Sequence, residues 1–266
     1  MYKNINRIFG LVAFVVSLIL YLITMAPTTS FWDCGEFIAT SYILGVPHPP
    51  GAPLFLLLGN VFSQIPFFQD IGARVNFISP LCSAFSVMFL YYITLYLIEE
   101  FNGEATDLSQ IIINNVSALI ASFTFAITDS HWFNAVEAEV YSLSTFFTAI
   151  VIWMILKWSR QSDKKWDTKY LLLIAYMFGL AIGIHILNLL ALPFIALIIY
   201  FKKYDYSFKG FISVIIITVL TFIIIYYGVI LGLPDFISKF NNIYIILFVI
   251  LIPTLTLIFL FLKDLK

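Results

Sequence analysis

The chain has 266 residues, of which 62% are hydrophobic and 11% charged, with a mean hydropathy of +1.00. Soluble domains are about 45–50% apolar and about 25% charged, so this composition excludes an ordinary soluble fold and implies an all-α integral membrane protein. The formal net charge is -1 and no basic face is present, which excludes nucleic acid as a partner.

Lys3 and Arg7 precede a long apolar run, Ile8–Ala26, with no small-residue cleavage site behind it. That pattern predicts an uncleaved first span, not a removed signal peptide. The next stretch, Phe31–Phe55, is different in kind. It holds Asp33, Glu36 and a Pro-rich turn at His48 between hydrophobic runs. The apolar run Leu54–Pro66 reaches only about 20 Å as a helix, short of the ~30 Å hydrocarbon core. Further spans are expected at Asn76–Ile98, Ile111–Thr128, Tyr141–Trp158, Tyr170–Ile184, Leu187–Phe201, Phe211–Leu233 and Ile243–Leu262, about eight transmembrane helices in all. Cys34 and Cys82 lack metal-ligand spacing and read as unpaired small residues.

Charge decides whether Leu54–Pro66 crosses the membrane. If it lies on the surface and the N-terminus is cytoplasmic, only Arg74 and Lys239 of the 14 Lys and Arg fall outside. If it spans, only Lys3, Arg7, Arg74 and Lys239 remain inside. The positive-inside rule selects the first arrangement. The expectation is one multispan domain over 1–266 with both termini cytoplasmic. Its outer first loop, residues 27–75, holds two membrane-surface helices near Glu36–Leu44 and Leu54–Ile65. His48, His131 and His185 then share the outer side with Phe31–Phe55 and Thr128–Val140.

Asp33 and Glu36 stand at i,i+3, which on a helix places both carboxylates on one face. They could instead cap that helix as a box. Apolar Trp32 and Phe37 flank the pair, and desolvation there would raise basicity as a general base requires. His48-Pro49-Pro50-Gly51 is a rigid turn that either forms a plain corner or aims His48 at the acids. Arg74, at the mouth of the second span beside Asn76, either snorkels to headgroups or pairs with a phosphate. Glu137 and Glu139 precede a span, where they either favour its N-terminus or, with Tyr141, line a polar substrate. His185 and Asn188 lie in an apolar hairpin, facing either a neighbouring helix or a cavity. No metal-ligand cluster is expected, although the acids could take a divalent ion.

Asp33-Cys34-Gly35-Glu36, Leu44-Gly45-Val46-Pro47-His48-Pro49-Pro50-Gly51 and Pro53-Leu54-Phe55 resemble the signature of a bacterial membrane family of formerly unknown function. That family is related to the eukaryotic transmembrane O-mannosyltransferase of the secretory pathway. Arg74-Val75-Asn76 and Ala138-Glu139-Val140-Tyr141-Ser142-Leu143 resemble its next two blocks, so the likeness covers roughly the N-terminal two-thirds. Cys34 stands where a Ser is frequent. The resemblance implies a GT-C-like bundle that takes a sugar, mannose, from a polyprenyl-phosphate carrier without a cofactor. The acceptor would be a hydroxyl of a protein or glycan, and the active face periplasmic on a bacterial inner membrane. Resemblance and position together suggest Asp33 as base, and Glu36 and His48 are expected to orient acceptor or sugar. Arg74 would offset phosphate charge, and Glu139 and His185 would contact the sugar. Family members are usually longer, so this chain is expected to be the N-terminal part of a larger architecture. The competing classes are a multispan transporter and a non-catalytic membrane subunit.

Overall fold

The computed structural model describes residues 2–160 and 167–239, together with 252, 255 and 256. Helix α1 (Tyr2–Thr24) is followed by two short helices, α2 (Cys34–Ile43) and α3 (Pro53–Gln64). Then α4 (Ile71–Asn76) leads into α5 (Ile78–Asn102). Next come α6 (Leu108–Ala126), α7 (Asp129–Ala135) and α8 (Val140–Ser159). A hairpin follows, built from α9 (Asp167–Ile182), a 3-10 turn (Ile186–Ala191) and α10 (Leu192–Lys203). Finally α11 (Phe208–Ile223) runs through a π-helical stretch, Ile224–Gly232, into α12 (Leu233–Ser238). No strand occurs among the described residues.

Six segments are long and apolar enough to cross a membrane: Asn4–Thr24, Ile71–Asn102, Leu108–Ala126, Val140–Ser159, Ile186–Lys203 and Phe208–Ser238. They correspond to six of the eight expected spans. The expected span Tyr170–Ile184 falls on the shorter apolar helix Thr168–Ile182. The expected span Ile243–Leu262 lies, apart from residues 252, 255 and 256, outside the described residues.

Helix α5 is the centre of the bundle and packs against α1, α6 and α8. Hydrogen bonds set the directions. Near one end, the Tyr91 hydroxyl donates to the Asn6 carbonyl at 3.1 Å, and Asn115 Nδ2 donates to Asn6 Oδ1 at 3.0 Å. Near the other end, Asn76 Nδ2 donates to the Ala26 carbonyl at 2.9 Å, and the Tyr21 hydroxyl donates to the Ala126 carbonyl at 2.9 Å. So α1 and α5 are antiparallel, and α6 runs with α1. The chain therefore leaves α1 and enters α5 at the same end, and α2 and α3 between them do not cross the bundle. Their lengths agree, since 10 and 12 residues reach about 15 and 18 Å.

The first loop is anchored by packing. Cys34, Phe55, Val75 and Ile184 are fully buried in one apolar cluster that also holds Phe37, Leu143 and Ala181. Phe37 meets Phe55 edge-on at 5.4 Å. Helix α3 closes on α2 at Gly59, where an added Cβ would collide with the Ser41 side chain. Asn60 of α3 donates to the Ser41 and Tyr42 carbonyls at 3.0 and 3.1 Å and so caps the C-terminus of α2. Helix α7 was not expected from the sequence.

Candidate functional site

Three separate segments meet at the end of the bundle that carries the first loop. Asp33, Phe37, His48 and Gly51 line a small open cleft together with Glu139, Tyr141 and His185. The backbone N–H of Leu54 donates to the Gly183 carbonyl at 3.1 Å and ties the first loop to the end of α9.

Asp33 sits at the N-cap of α2, yet its side chain makes no capping bond. Glu36 does not turn back to complete a box either. It takes both the backbone N–H and ring Nδ1 of His48, each at 2.7 Å. This clasp bends the Pro-rich turn over α2 and answers the open alternative for His48: the corner aims the ring at the acids. Gly51 adopts φ +81, the left-handed conformation that the tight turn requires. The pairing holds the Glu36 carboxyl below its ordinary range, and the same Glu36 bond raises the His48 imidazole. Donor atoms of Asp33, Glu36 and His48 lie within 4.8 Å of one another. These three groups bring carboxylate and imidazole donors close enough together for one cation.

Glu139 is buried, and desolvation, then the charges of Asp33 and Glu137, push its carboxyl up to about 7. It therefore carries a proton for much of the time at neutral pH. Tyr141 and His185 face each other with rings 5.1 Å apart. The Leu187 N–H donates to His185 Nδ1 at 3.2 Å, which leaves the ring proton of the neutral imidazole on Nε2. Burial lowers the basicity of His185 and favours that neutral form.

Four expected substrate residues take other places. The Arg74 guanidinium donates to three backbone carbonyls: Phe68 at 2.7 Å, Ser63 at 3.0 Å and Gln69 at 3.2 Å. Its planar fork clamps the α3–α4 connection. Asn76 is fully buried and joins three segments. Its Nδ2 donates to the Ala26 and Thr28 carbonyls at 2.9 and 2.8 Å, and its Oδ1 accepts from the Ala138 N–H at 2.9 Å. Cys34 Sγ also approaches Asn76 Oδ1 at 3.6 Å. Asn76 thus fixes the neighbours of both Asp33 and Glu139. Asn188 does the same for His185, donating to the Ala181 and His185 carbonyls at 2.6 and 2.9 Å while accepting from the Thr148 hydroxyl at 2.6 Å. Glu137 is buried and does not line the cleft, and its Oε1 has no protein partner among the described residues. His131 is likewise absent from the cleft; its ring packs on Phe125 at 4.1 Å, and burial pushes it down to about 4. Sequence reasoning had no means of finding the tethering roles of Asn76 and Asn188, because side-chain type does not reveal partners.

A family model described as the protein O-mannosyl-transferase TMEM260 N-terminal domain matches residues 33–207. The chain is 28% identical over 193 residues to protein O-mannosyl-transferase tmem260 of Dictyostelium discoideum, covering 68% of this chain and 22% of that protein. It is 26% identical over 162 residues to protein O-mannosyl-transferase TMEM260 of Mus musculus, covering 61% of this chain and 21% of that protein. The chain thus spans about a fifth of the length of these curated relatives. No solved structure matches the chain.

Proposed function

The chain belongs to the family of the protein O-mannosyl-transferase TMEM260 N-terminal domain, and on that premise we propose that it is the membrane part of a glycosyltransferase. It moves a sugar, mannose, from a polyprenyl-phosphate carrier to an acceptor hydroxyl on the outer membrane face. The observation that carries the reading is the cleft itself. It gathers Asp33, His48, Glu139, Tyr141 and His185 from three distant stretches of sequence, with burial raising the Glu139 carboxyl.

In the proposed reaction the Asp33 carboxylate, exposed and free of any capping bond, takes the proton of the acceptor hydroxyl. The acceptor oxygen attacks the anomeric carbon as the bond from that carbon to the phosphate oxygen breaks. The electron pair leaves with the lipid phosphate, and displacement from the opposite face inverts the centre. Arg74 is committed elsewhere, so the cation available to the departing phosphate is His48, whose imidazolium form Glu36 favours. Glu139, in its protonated form, and His185 Nε2 donate to sugar hydroxyls. Tyr141 supplies an aromatic wall for the sugar ring. The acceptor is a protein hydroxyl, in keeping with the names of the relatives.

The test is transfer of labelled mannose from polyprenyl-phosphate mannose in membranes holding this chain, wild type against Asp33→Asn. Label moving into protein with the wild type alone is the expected result. Equal transfer by the variant refutes Asp33 as base. No transfer by either, from folded protein, refutes activity of this chain by itself.

A further inference from the structure

The opposite end of the bundle carries a second cleft, independent of the transfer reaction. Residues of α1, α5 and α8 form it, with Arg7, Lys157 and Arg160 as its cations and Glu99 as its acid. Tyr92, Tyr96 and Trp153 line the same space. Arg160 is partly neutralised, since it donates to Glu99 at 2.9 Å and lies over the Tyr96 ring at 3.8 Å. The Lys157 ammonium lies 4.5 Å from the Trp153 ring centre. Among the described residues neither Arg7 nor Lys157 pairs with a carboxylate. Aromatic rings with polar tips collect at the headgroup level of a bilayer, so these rings set the depth of the cleft.

A neighbouring recess shares Asn6, Leu95, Glu99 and Arg160 with this cleft, and Glu104 stands in it. It is also lined by Asn114, which is buried at 5% exposure with Nδ2 lacking any hydrogen-bond partner. A buried donor left alone is costly, and an occupant bringing acceptor oxygens relieves that cost. Across both spaces the charged lining is Arg7, Lys157 and Arg160 against Glu99 and Glu104, a net positive site.

We propose that this double cleft binds the headgroup of an anionic glycerophospholipid. The phosphate lies between Arg7 and Lys157, and the polar oxygens beyond it reach Asn114 Nδ2. The ligand chemistry is a phosphate ester with a hydroxyl-bearing tail, held at the membrane surface on the end that the basic residues assign to the cytoplasm.

The experiment uses the full chain, purified in detergent and stripped of lipid. Phosphatidylglycerol, phosphatidylcholine and inorganic phosphate are added back, and lipid binding is counted by native mass spectrometry beside a thermal-unfolding readout. Wild type is expected to retain phosphatidylglycerol over phosphatidylcholine. Arg7→Gln and Lys157→Gln each lower that affinity about fivefold, as expected for one cation near an anionic lipid. Lys209→Gln, outside the cleft, leaves it unchanged. Asn114→Leu changes no charge, so its loss of affinity separates a built site from general attraction to basic residues. The proposal is overturned if Arg7→Gln and Lys157→Gln bind like wild type, if Asn114→Leu has no effect, or if inorganic phosphate stabilises as well as the lipid.

Discussion

Replacing Asn76 by Ala tests whether the cleft depends on a tether outside it. The substitution strands the Ala138 N–H, which is fully buried, without an acceptor, at a cost of about 1–3 kcal/mol. It also removes the two bonds to the Ala26 and Thr28 carbonyls, each worth about 0.5–1.5 kcal/mol, where nearby solvent makes up part of the loss. The expected destabilisation is therefore about 3 kcal/mol, read by denaturant or thermal unfolding of the purified protein. Transfer activity should fall further than the folded fraction does, because the backbones beside Asp33 and Glu139 lose their common support. Asn76→Asp keeps the acceptor for Ala138 but turns a buried carboxylate toward two carbonyl oxygens, and should be at least as damaging. An Asn76→Ala protein within ~0.5 kcal/mol of wild type, with unchanged transfer, would refute the tether.

Glu139→Gln should act mainly above neutrality. The native carboxyl titrates at about 7, above its ordinary value of 4.5, so its contribution to stability is full below pH 4.5 and is lost as pH rises through about 7. The variant should flatten the stability profile across that window and gain as much as ~3 kcal/mol relative to wild type above it, measured as unfolding free energy against pH. Its transfer activity should persist above pH 7, where wild type declines; a variant inactive at every pH would show that Gln does not replace the protonated acid. Gly59→Leu should force α2 away from α3 and cost about 1–3 kcal/mol, with reduced transfer as α2 shifts. Wild-type activity in that variant would show that α2 can move without disturbing Asp33.

The broad architecture was legible because membrane spans are written in composition. That α2 and α3 do not cross the bundle was legible because Leu54–Pro66 is too short to span and the distribution of basic residues argues against it. The structure adds the geometric reason, a return of the chain to the Ala26 end of α1 at Asn76. Within the site, Asp33, Glu36, His48, Glu139, Tyr141 and His185 come together as their residue types suggested. The sequence leaves Arg74 between headgroups and phosphate; the fold turns its guanidinium to backbone carbonyls, which suit it equally well. Helix α7 was missed because its seven residues carry no apolar periodicity long enough to register.

The bond from Leu54 to Gly183 also orders the protein in time. About 130 residues separate its partners, and at ~5–20 residues per second their synthesis takes roughly 6–26 seconds. Throughout that interval α2, α3 and α4 can dock on one another, since their contacts are close in sequence. Asp33, Glu36 and His48 can thus be arranged early, on a nascent chain that still lacks the wall bearing His185. Only when the end of α9 arrives can His185 complete the cleft, so the acids can be assembled well before the wall opposite them.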